Sequence, residues 1–337
     1  MQKPPLLLLT PLILFAVIYL ATHVHWWVFV AILSIVTISV LIILDSFLFK
    51  GDVYKSHIQP TVVSGIMQLA PWLAFPFLAT DFSSTIPTLI AIVSGIISMI
   101  GFNLYFRAMD DDQDAVVITI MFNLMIAVVP LMAYLTIGER LEIFQYIGIA
   151  GIFIGAIFAS YYKAKTKPRV IWLMIAAVTL FSVSSVMMKY VFMSLTEVGN
   201  TSVYWSGLLP HTLGFGIIGL FFLGKEMSKK STRKSFITLV AKYWPVFLFM
   251  EGVQVIADML GSLASTVGSV SVITAMDGLG GIFSVSISIV LVYIFTRANV
   301  RTELLSIATS IQNEQFEKFE FKLIGMFLVT LGAYMVV

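Results

Sequence analysis

Apolar residues fill eleven long segments of the chain, and short polar or charged stretches separate them. A membrane helix needs about 20 mostly apolar residues. The segments that meet this requirement are 5–21, 26–46, 58–79, 86–107, 115–136, 143–162, 170–193, 203–223, 243–265, 269–295 and 320–337. The pattern therefore predicts an all-α integral membrane protein that crosses the bilayer many times.

The first segment differs from the others because it opens the chain. MQKPPLLLLTPLILFAVIYLA resembles a signal peptide, with one Lys before an apolar run, and the sequence leaves open whether residues 1–25 are retained or cleaved. We interpret 1–25 as one extra N-terminal membrane helix. The remaining ten segments form a core, and we number them core helices 1 to 10 in chain order.

Lysine and arginine in the loops lie almost entirely on one side of this arrangement. The loops that follow core helices 1, 3, 5, 7 and 9 carry them, whereas Arg140 stands alone on the opposite side. Cytoplasmic loops of membrane proteins are enriched in Lys and Arg, so the odd-numbered loops are predicted to be cytoplasmic. A plasma membrane or a bacterial inner membrane is the expected location.

Short stretches of the first half recur in the second half in the same order. VITIMFNLM from Val117 returns as VITAMDGLG from Val272, and IGIAGIFIGA from Ile147 returns as IGMFLVTLGA from Ile324. We therefore divide the core into two five-helix repeats, 26–165 and 166–337. Five is an odd number, so the two repeats are predicted to be inverted relative to each other, as in many secondary transporters.

The stretch NLMIAVVPLMAYLTIGERLEIFQYIGIAGIFIGA at 123–156 resembles the drug/metabolite transporter superfamily in its ten-helix, EamA-like form. The residues that carry the resemblance are Pro130, Gly138, Glu139, Gln145, Gly148, Gly151 and Gly155 in the first half, and Gly325 and Gly332 in the second. The resemblance implies transport of small metabolites, often against protons. The chain departs from the usual members in its extra helix, its core orientation and its long link between core helices 9 and 10.

Composition excludes several kinds of site. Only 11% of the residues are charged, against about 25% in soluble proteins. The chain has no cysteine, which excludes thiolate metal sites, disulfides and cysteine nucleophiles. It has no Walker motif, no HExxH motif and no run of basic and aromatic residues. We expect no metal, no cofactor and no nucleic acid, and the expected partners are a small-molecule substrate, the lipid bilayer and protons.

Core helix 8 carries Glu251, Gln254 and Asp258 on one face, at positions i, i+3 and i+7. A charge at the centre of a membrane helix costs roughly 2.5–3.5 kcal/mol on insertion scales. A lone glutamine there favours a packing role, but two carboxylates on one face favour a proton-coupling site. We predict that Glu251 and Asp258 couple transport to protons and that Gln254 binds substrate. The alternative is that all three only fix helix packing.

Further polar residues inside the spans are predicted to bind substrate: Asn103, Asn123, Lys189, His211 and Asp277. All of them except His211 are expected to converge with the acidic face between the two halves of the core. For Lys189 the sequence leaves open whether it snorkels to the outer interface or pairs with Asp258 or Asp277. Asp277 begins MDGLGG, whose glycines favour a loosened, cavity-lining helix. For His211 the alternative is a satisfied buried histidine. GIFIG at 151–155 matches GxxxG and leaves a homodimer open.

These features predict a secondary active transporter of a small polar metabolite, rather than an enzyme. It would work by alternating access, with proton-coupled exchange. Two alternatives stay open. One is a membrane-embedded enzyme or a flippase that acts on a lipid-linked substrate, and the other is a non-transporting membrane scaffold. Short soluble loops and the lack of a clustered metal-ligand motif favour the transporter over the enzyme.

Overall fold

The computed structural model describes residues 25–51, 53–111, 122–159, 167–297, 302–316 and 319–336, and these residues form helices with no strand among them. Their α-helices are α1 (Trp26–Lys50), α2 (Ile58–Met67), α3 (Thr85–Asp111), α4 (Met125–Ile137), α5 (Ile143–Ala159), α6 (Pro168–Glu197), α7 (Val203–Ser228), α8 (Lys230–Val267), α9 (Val270–Met276), α10 (Gly280–Arg297), α11 (Thr302–Phe316) and α12 (Phe319–Val336). Two 3-10 helices cover Ala70–Phe77 and Asp277–Leu279. The predicted extra helix lies outside the described residues, apart from its last residue, His25.

Six segments of the described chain are long and apolar enough to cross a membrane. They are α1, α3, α6, α7, α8 and the continuous run Val270–Arg297, which contains α9 and α10. The helices Met125–Ile137 and Ile143–Phe158 and the end of α12, Leu323–Val336, are apolar but shorter. The fold is therefore that of an all-helical integral membrane protein.

Two predicted spans are not single α-helices. The span predicted at 58–79 ends its α-helix at Met67 and continues as the 3-10 helix Ala70–Phe77. Pro71 explains the end, because a proline ring clashes with the carbonyl four residues earlier, here that of Met67. The span predicted at 269–295 is interrupted at Asp277–Leu279, where the MDGLGG glycines lie.

Two helices extend beyond the apolar pattern. α8 begins at Lys230 rather than near 243, because its first turns are polar and do not count toward an apolar span. The long link between core helices 9 and 10 contains α11. Both differences arise because a search for apolar runs overlooks helical segments that carry polar residues.

The most extensive helix pairs are α5 with α12, α3 with α6, α3 with α7, and α1 with α8. Small residues allow the first pair to approach closely: a Cβ at Gly155 would lie 2.7 Å from the Gly325 carbonyl oxygen, and one at Gly148 would lie 2.7 Å from that of Gly332. The GxxxG motif of α5 therefore packs against α12 of the same chain. This face is not available for the homodimer that the motif had left open.

Apolar side chains form two main clusters. The first joins the start of α1 to α4, α5, α9, α10 and α12, with Ile126, Ile152 and Met276 among its fully buried members. The second joins the end of α1 to α2, α3, α6 and α8, and includes Met109 and Phe247. The polar groups described next lie within the second cluster.

Candidate functional site

A stripe of polar side chains on α2 meets the acidic face of α8. Thr61, Ser64 and Gln68 occupy positions i, i+3 and i+7, which lie on one face of a helical segment, and all three are buried. The Ser64 hydroxyl donates a hydrogen bond of 2.6 Å to Oε1 of Glu251. The Gln68 amide donates to Oδ2 of Asp258. α2 thus supplies neutral donors to both carboxyl groups.

Glu251 is the more enclosed of the two carboxyl groups in this contact. The residue is 6% exposed, and its Oε2 atom is buried without a hydrogen-bond partner among the described residues. One carboxyl oxygen is therefore fixed by Ser64, and the other is open to a proton. A buried polar atom without a partner costs about 1–3 kcal/mol, which a proton shared with a further acceptor would reduce.

Asp258 lies seven residues further along α8, a rise of about 10 Å. Gln254 donates to both of its oxygens at 3.0 Å, from one turn earlier on the same helix. Tyr204 on α7 lies nearby and donates to the Met259 carbonyl at 3.0 Å. Asp258 is only partly buried, so it is less enclosed than Glu251.

Asn103 on α3 reaches the same stripe. Its amide donates to the Thr61 hydroxyl at 3.0 Å. The structure therefore brings four of the predicted residues, Asn103, Glu251, Gln254 and Asp258, to one surface of α2.

Asp45 on α1 also belongs to this region, although the sequence analysis did not select it. The Tyr105 hydroxyl of α3 donates to its Oδ2 atom at 3.2 Å. Asp45 and Asp258 are both close enough to interact electrostatically with Glu251. The signal was an acidic residue in the apolar segment LIILDSFLFK, one residue before the predicted end of the span at 46. α1 continues to Lys50.

Cations do not neutralise these three carboxyl groups within the described part of the chain. The ion pairs found there join His57 to Asp110 at 3.6 Å and Arg169 to Asp111 at 3.1 Å, at one end of the bundle. For His57, which precedes α2, burial lowers the pKa below its ordinary value and outweighs the opposing effect of Asp110. The acidic groups in the bundle therefore depend on neutral donors.

Lys189 contacts backbone rather than a carboxylate. Its ammonium group donates to the carbonyls of Ser265 at 3.1 Å and Gly268 at 2.7 Å. Among the described residues it forms no ion pair with Asp258 or Asp277, so that alternative is wrong. Lysine at this position caps the C-terminal end of α8, where carbonyls lack helical partners and the helix dipole attracts a cation.

Glu139 binds the turn between α8 and α9 on the side where α9 begins. Its carboxylate accepts hydrogen bonds from the backbone N–H of Val270 at 3.1 Å and of Ser271 at 3.3 Å, and from the Ser271 hydroxyl. These N–H groups begin α9, and an anion is favourable there. Glu139 carries part of the family resemblance, and its contacts here are with the turn between α8 and α9.

The three remaining predicted residues lie apart from the α2 stripe. Asn123 donates to the Ala156 carbonyl on α5 at 3.4 Å. His211 lies where α7 crosses α3, bonds to the backbone of Ala91, and has an Nδ1 atom that is buried without a partner in the described chain. Asp277 begins the 3-10 turn between α9 and α10. None of these contacts joins the three residues or Lys189 to the α2 stripe, and substrate binding by these four residues stays a prediction.

Two features bear on ligands. A groove of about 420 Å³ lies between α4 and α5 and is lined almost entirely by apolar side chains, including Pro130, Leu131 and Phe153. Within the described residues, no three His, Asp or Glu side chains come together as metal ligands. The polar site is thus a set of carboxyl, amide and hydroxyl groups, which exchange protons and hydrogen bonds.

Comparison with known proteins gives a likeness of fold only. No protein-family model and no curated protein matches the chain. A solved structure, described only as a crystal structure of a protein, is similar with a TM-score of 0.54 at 15% identity, over 90% of this chain and 94% of that one. At this identity the likeness shows a shared fold and nothing further.

Proposed function

We propose that the protein is a secondary active transporter of a small polar metabolite, of the drug/metabolite transporter type, in which Glu251 and Asp258 couple transport to protons. The observation that carries the proposal is the contact between the acidic face of α8 and the polar stripe of α2. It places two carboxyl groups inside an apolar bundle. Their partners among the described residues are neutral hydrogen-bond donors and not cations. Such groups inside a membrane mark substrate and proton paths.

The arrangement suits exchange between protons and substrate. An ionised carboxyl in the bilayer is costly, so protonation favours the empty site. A substrate with a positive or zwitterionic group would instead favour the ionised carboxyls, and the two ligands would compete for one face of α8. The proton and the substrate can shift the equilibrium between the inward-open and outward-open conformations only if each binds one conformation more tightly than the other.

The pairing of helices is consistent with inverted repeats, which we include in the proposal. A two-fold axis that relates core helix 3 to core helix 8 would also relate core helix 6 to core helix 1. The pair α3–α6 would then correspond to α8–α1, and both are among the most extensive pairs. Core helix 5 would meet its own counterpart, core helix 10, as α5 meets α12. Transporters of this plan bind substrate near the axis.

Flux measurements test the function. Purified protein would be screened by thermal shift against amino acids, amines, nucleosides and organic acids at one acidic and one alkaline pH. A compound that stabilises it would then be followed into proteoliposomes, with and without a pH gradient. Glu251→Gln and Asp258→Asn keep size and hydrogen bonding but remove titration. We expect each to lower gradient-driven uptake at least tenfold while exchange without a gradient persists.

The matched control is Glu197→Gln, an exposed acid at the end of α6, which should transport like the wild type. Wild-type flux and wild-type pH dependence in both Glu251→Gln and Asp258→Asn would contradict the coupling role.

A second candidate is a flippase, and the groove between α4 and α5 favours it. Its apolar lining and the exposed Leu131 and Tyr134 at its side fit an acyl chain better than a polar metabolite. Movement of a fluorescent phospholipid between leaflets, faster in proteoliposomes than in empty vesicles, would support this candidate over the first.

A further inference from the structure

Asp45, Glu251 and Asp258 form a series through the bundle. We call the end at which α1 and α3 end and α8 begins the basic end. Asp45 lies five residues before Lys50, the last residue of α1, and therefore nearest the basic end. Glu251 follows, and Asp258 lies about 10 Å further along α8. Asp45 and Asp258 are partly exposed, whereas Glu251 between them is buried.

We propose that Asp45, positioned by Tyr105, is the residue through which Glu251 exchanges protons with the basic end of the protein. This inference rests on the proposed function, because it explains how a proton reaches the enclosed carboxyl. In the step, a protonated Asp45 gives its proton to Oε2 of Glu251. Asp45 is left as a carboxylate and regains a proton from solvent at the basic end, and the reverse sequence releases a proton there.

Three contacts support the route. Oε1 of Glu251 is engaged by Ser64, while Oε2 is free of hydrogen bonds to described residues and is the atom that can accept the proton. The Tyr105 hydroxyl holds the Asp45 carboxyl in place at 3.2 Å. Tyr54, from the connection before α2, is buried and lies within electrostatic range of both Asp45 and Glu251. Its ring stacks on that of Phe247, four residues before Glu251 on α8, with the ring centroids 5.6 Å apart.

The surroundings of Asp45 contain no competing charge in the described chain. The groups that act on it come from three elements: Tyr105 from α3, Glu251 from α8 and Tyr54 from the connection to α2. The contact that α10 makes beside it is apolar, between Phe47 and Phe295, whose ring centroids are 6.0 Å apart. A lysine or arginine here would hold Asp45 ionised; without one, Asp45 is free to alternate between its two forms.

The exchange of hydrogen for deuterium at Glu251 tests the route without a known substrate. Infrared difference spectra of the protein in lipid films show protonated carboxyl groups, and the band missing from Glu251→Gln belongs to Glu251. On a change to D2O this band shifts as its proton exchanges. Because Asp258 offers a path from the opposite side, the comparison is made in the Asp258→Asn background. In that background, Asp45→Asn should slow hydrogen–deuterium exchange at Glu251 at least tenfold, and Tyr105→Phe should slow it less.

Chemical rescue separates a proton carrier from a structural role. Formate, a small weak acid, should restore fast exchange to the protein that carries both Asp45→Asn and Asp258→Asn, and it should leave the protein with Asp258→Asn alone unchanged. Asp81→Asn, on an exposed connection, replaces Asp45→Asn in the control protein. Exchange that is equally fast with and without Asp45 overturns the route while leaving the transporter proposal intact. Slow exchange that formate does not restore also overturns it. A wild-type spectrum with no Glu251 band at any pH overturns both proposals.

Discussion

Replacing Gly65 with alanine should weaken the contact between α2 and α7 that supports the polar stripe. A Cβ at Gly65 would lie 2.6 Å from the Gly219 Cα and 3.1 Å from the Phe215 carbonyl oxygen. Carbon atoms pack at about 3.5–4.0 Å, so the two helices would have to separate by about 1 Å. Inserting a methyl group into a packed interior costs about 1–3 kcal/mol, and the helix preference for alanine returns up to about 1 kcal/mol.

The atoms in the way belong to the backbone and cannot rotate aside, so we expect the upper end of that range. The net loss of unfolding free energy is then about 2 kcal/mol. Unfolding by SDS in mixed micelles, followed by tryptophan fluorescence, measures it. Gly252→Ala on α8 is the matched control, because no heavy atom lies within 4 Å of its added Cβ. Gly252→Ala should be neutral or stabilising, and equal stability of the two variants would refute the close approach of α2 and α7.

Two further outcomes are expected. A cysteine that replaces Ser231 should be shielded from an impermeant thiol reagent in intact cells, whereas a cysteine that replaces Thr201 should react. The reverse pattern of labelling would contradict the sidedness inferred from Lys and Arg. Lys189→Met should lower the unfolding free energy by about 2–3 kcal/mol, since hydrogen bonds to charged groups contribute about 1.5–3 kcal/mol. Lys234→Met, on the exposed start of α8, should leave the unfolding free energy unchanged. If the two variants lowered the unfolding free energy equally, Lys189 would only snorkel.

The membrane character and most helix positions could be predicted because apolar runs are local and long. The exceptions have local causes as well. Pro71 ends α2 early, and the span that contains Asp277 is interrupted at the glycines that were expected to loosen it. The first third of α8 was missed because its first turns are polar, and polarity alone does not distinguish a polar helix from a loop.

The acidic face of α8 could be predicted because its spacing lies within one helix. Its partners on α2 could not be identified in this way, because serine is an ordinary residue of membrane helices and the carboxyl groups that Ser64 and Gln68 meet lie 187 and 190 residues away. Lys189 shows a second limit. Its acceptors are backbone carbonyls, which every residue has, so no residue type in the sequence indicates them. The expectation of a carboxylate partner for Lys189 followed from charge alone.

The side chain at position 68 shows how the geometry of two helices restricts the choice of residue. From Ser64 to Gln68, α2 rises by four residues, or about 6 Å, whereas α8 rises by about 10 Å from Glu251 to Asp258. The contact between position 68 and Asp258 must therefore bridge several ångströms more than the contact between Ser64 and Glu251. Ser64 has a short side chain and meets Glu251 directly, while the longer amides of Gln68 and Gln254 reach Asp258 from two sides. An asparagine at position 68 would fall short by one methylene, leaving Asp258 with Gln254 as its donor. The two carboxyls of α8 are thus held differently: a single short side chain, Ser64, holds one oxygen of Glu251, whereas two long amides hold Asp258.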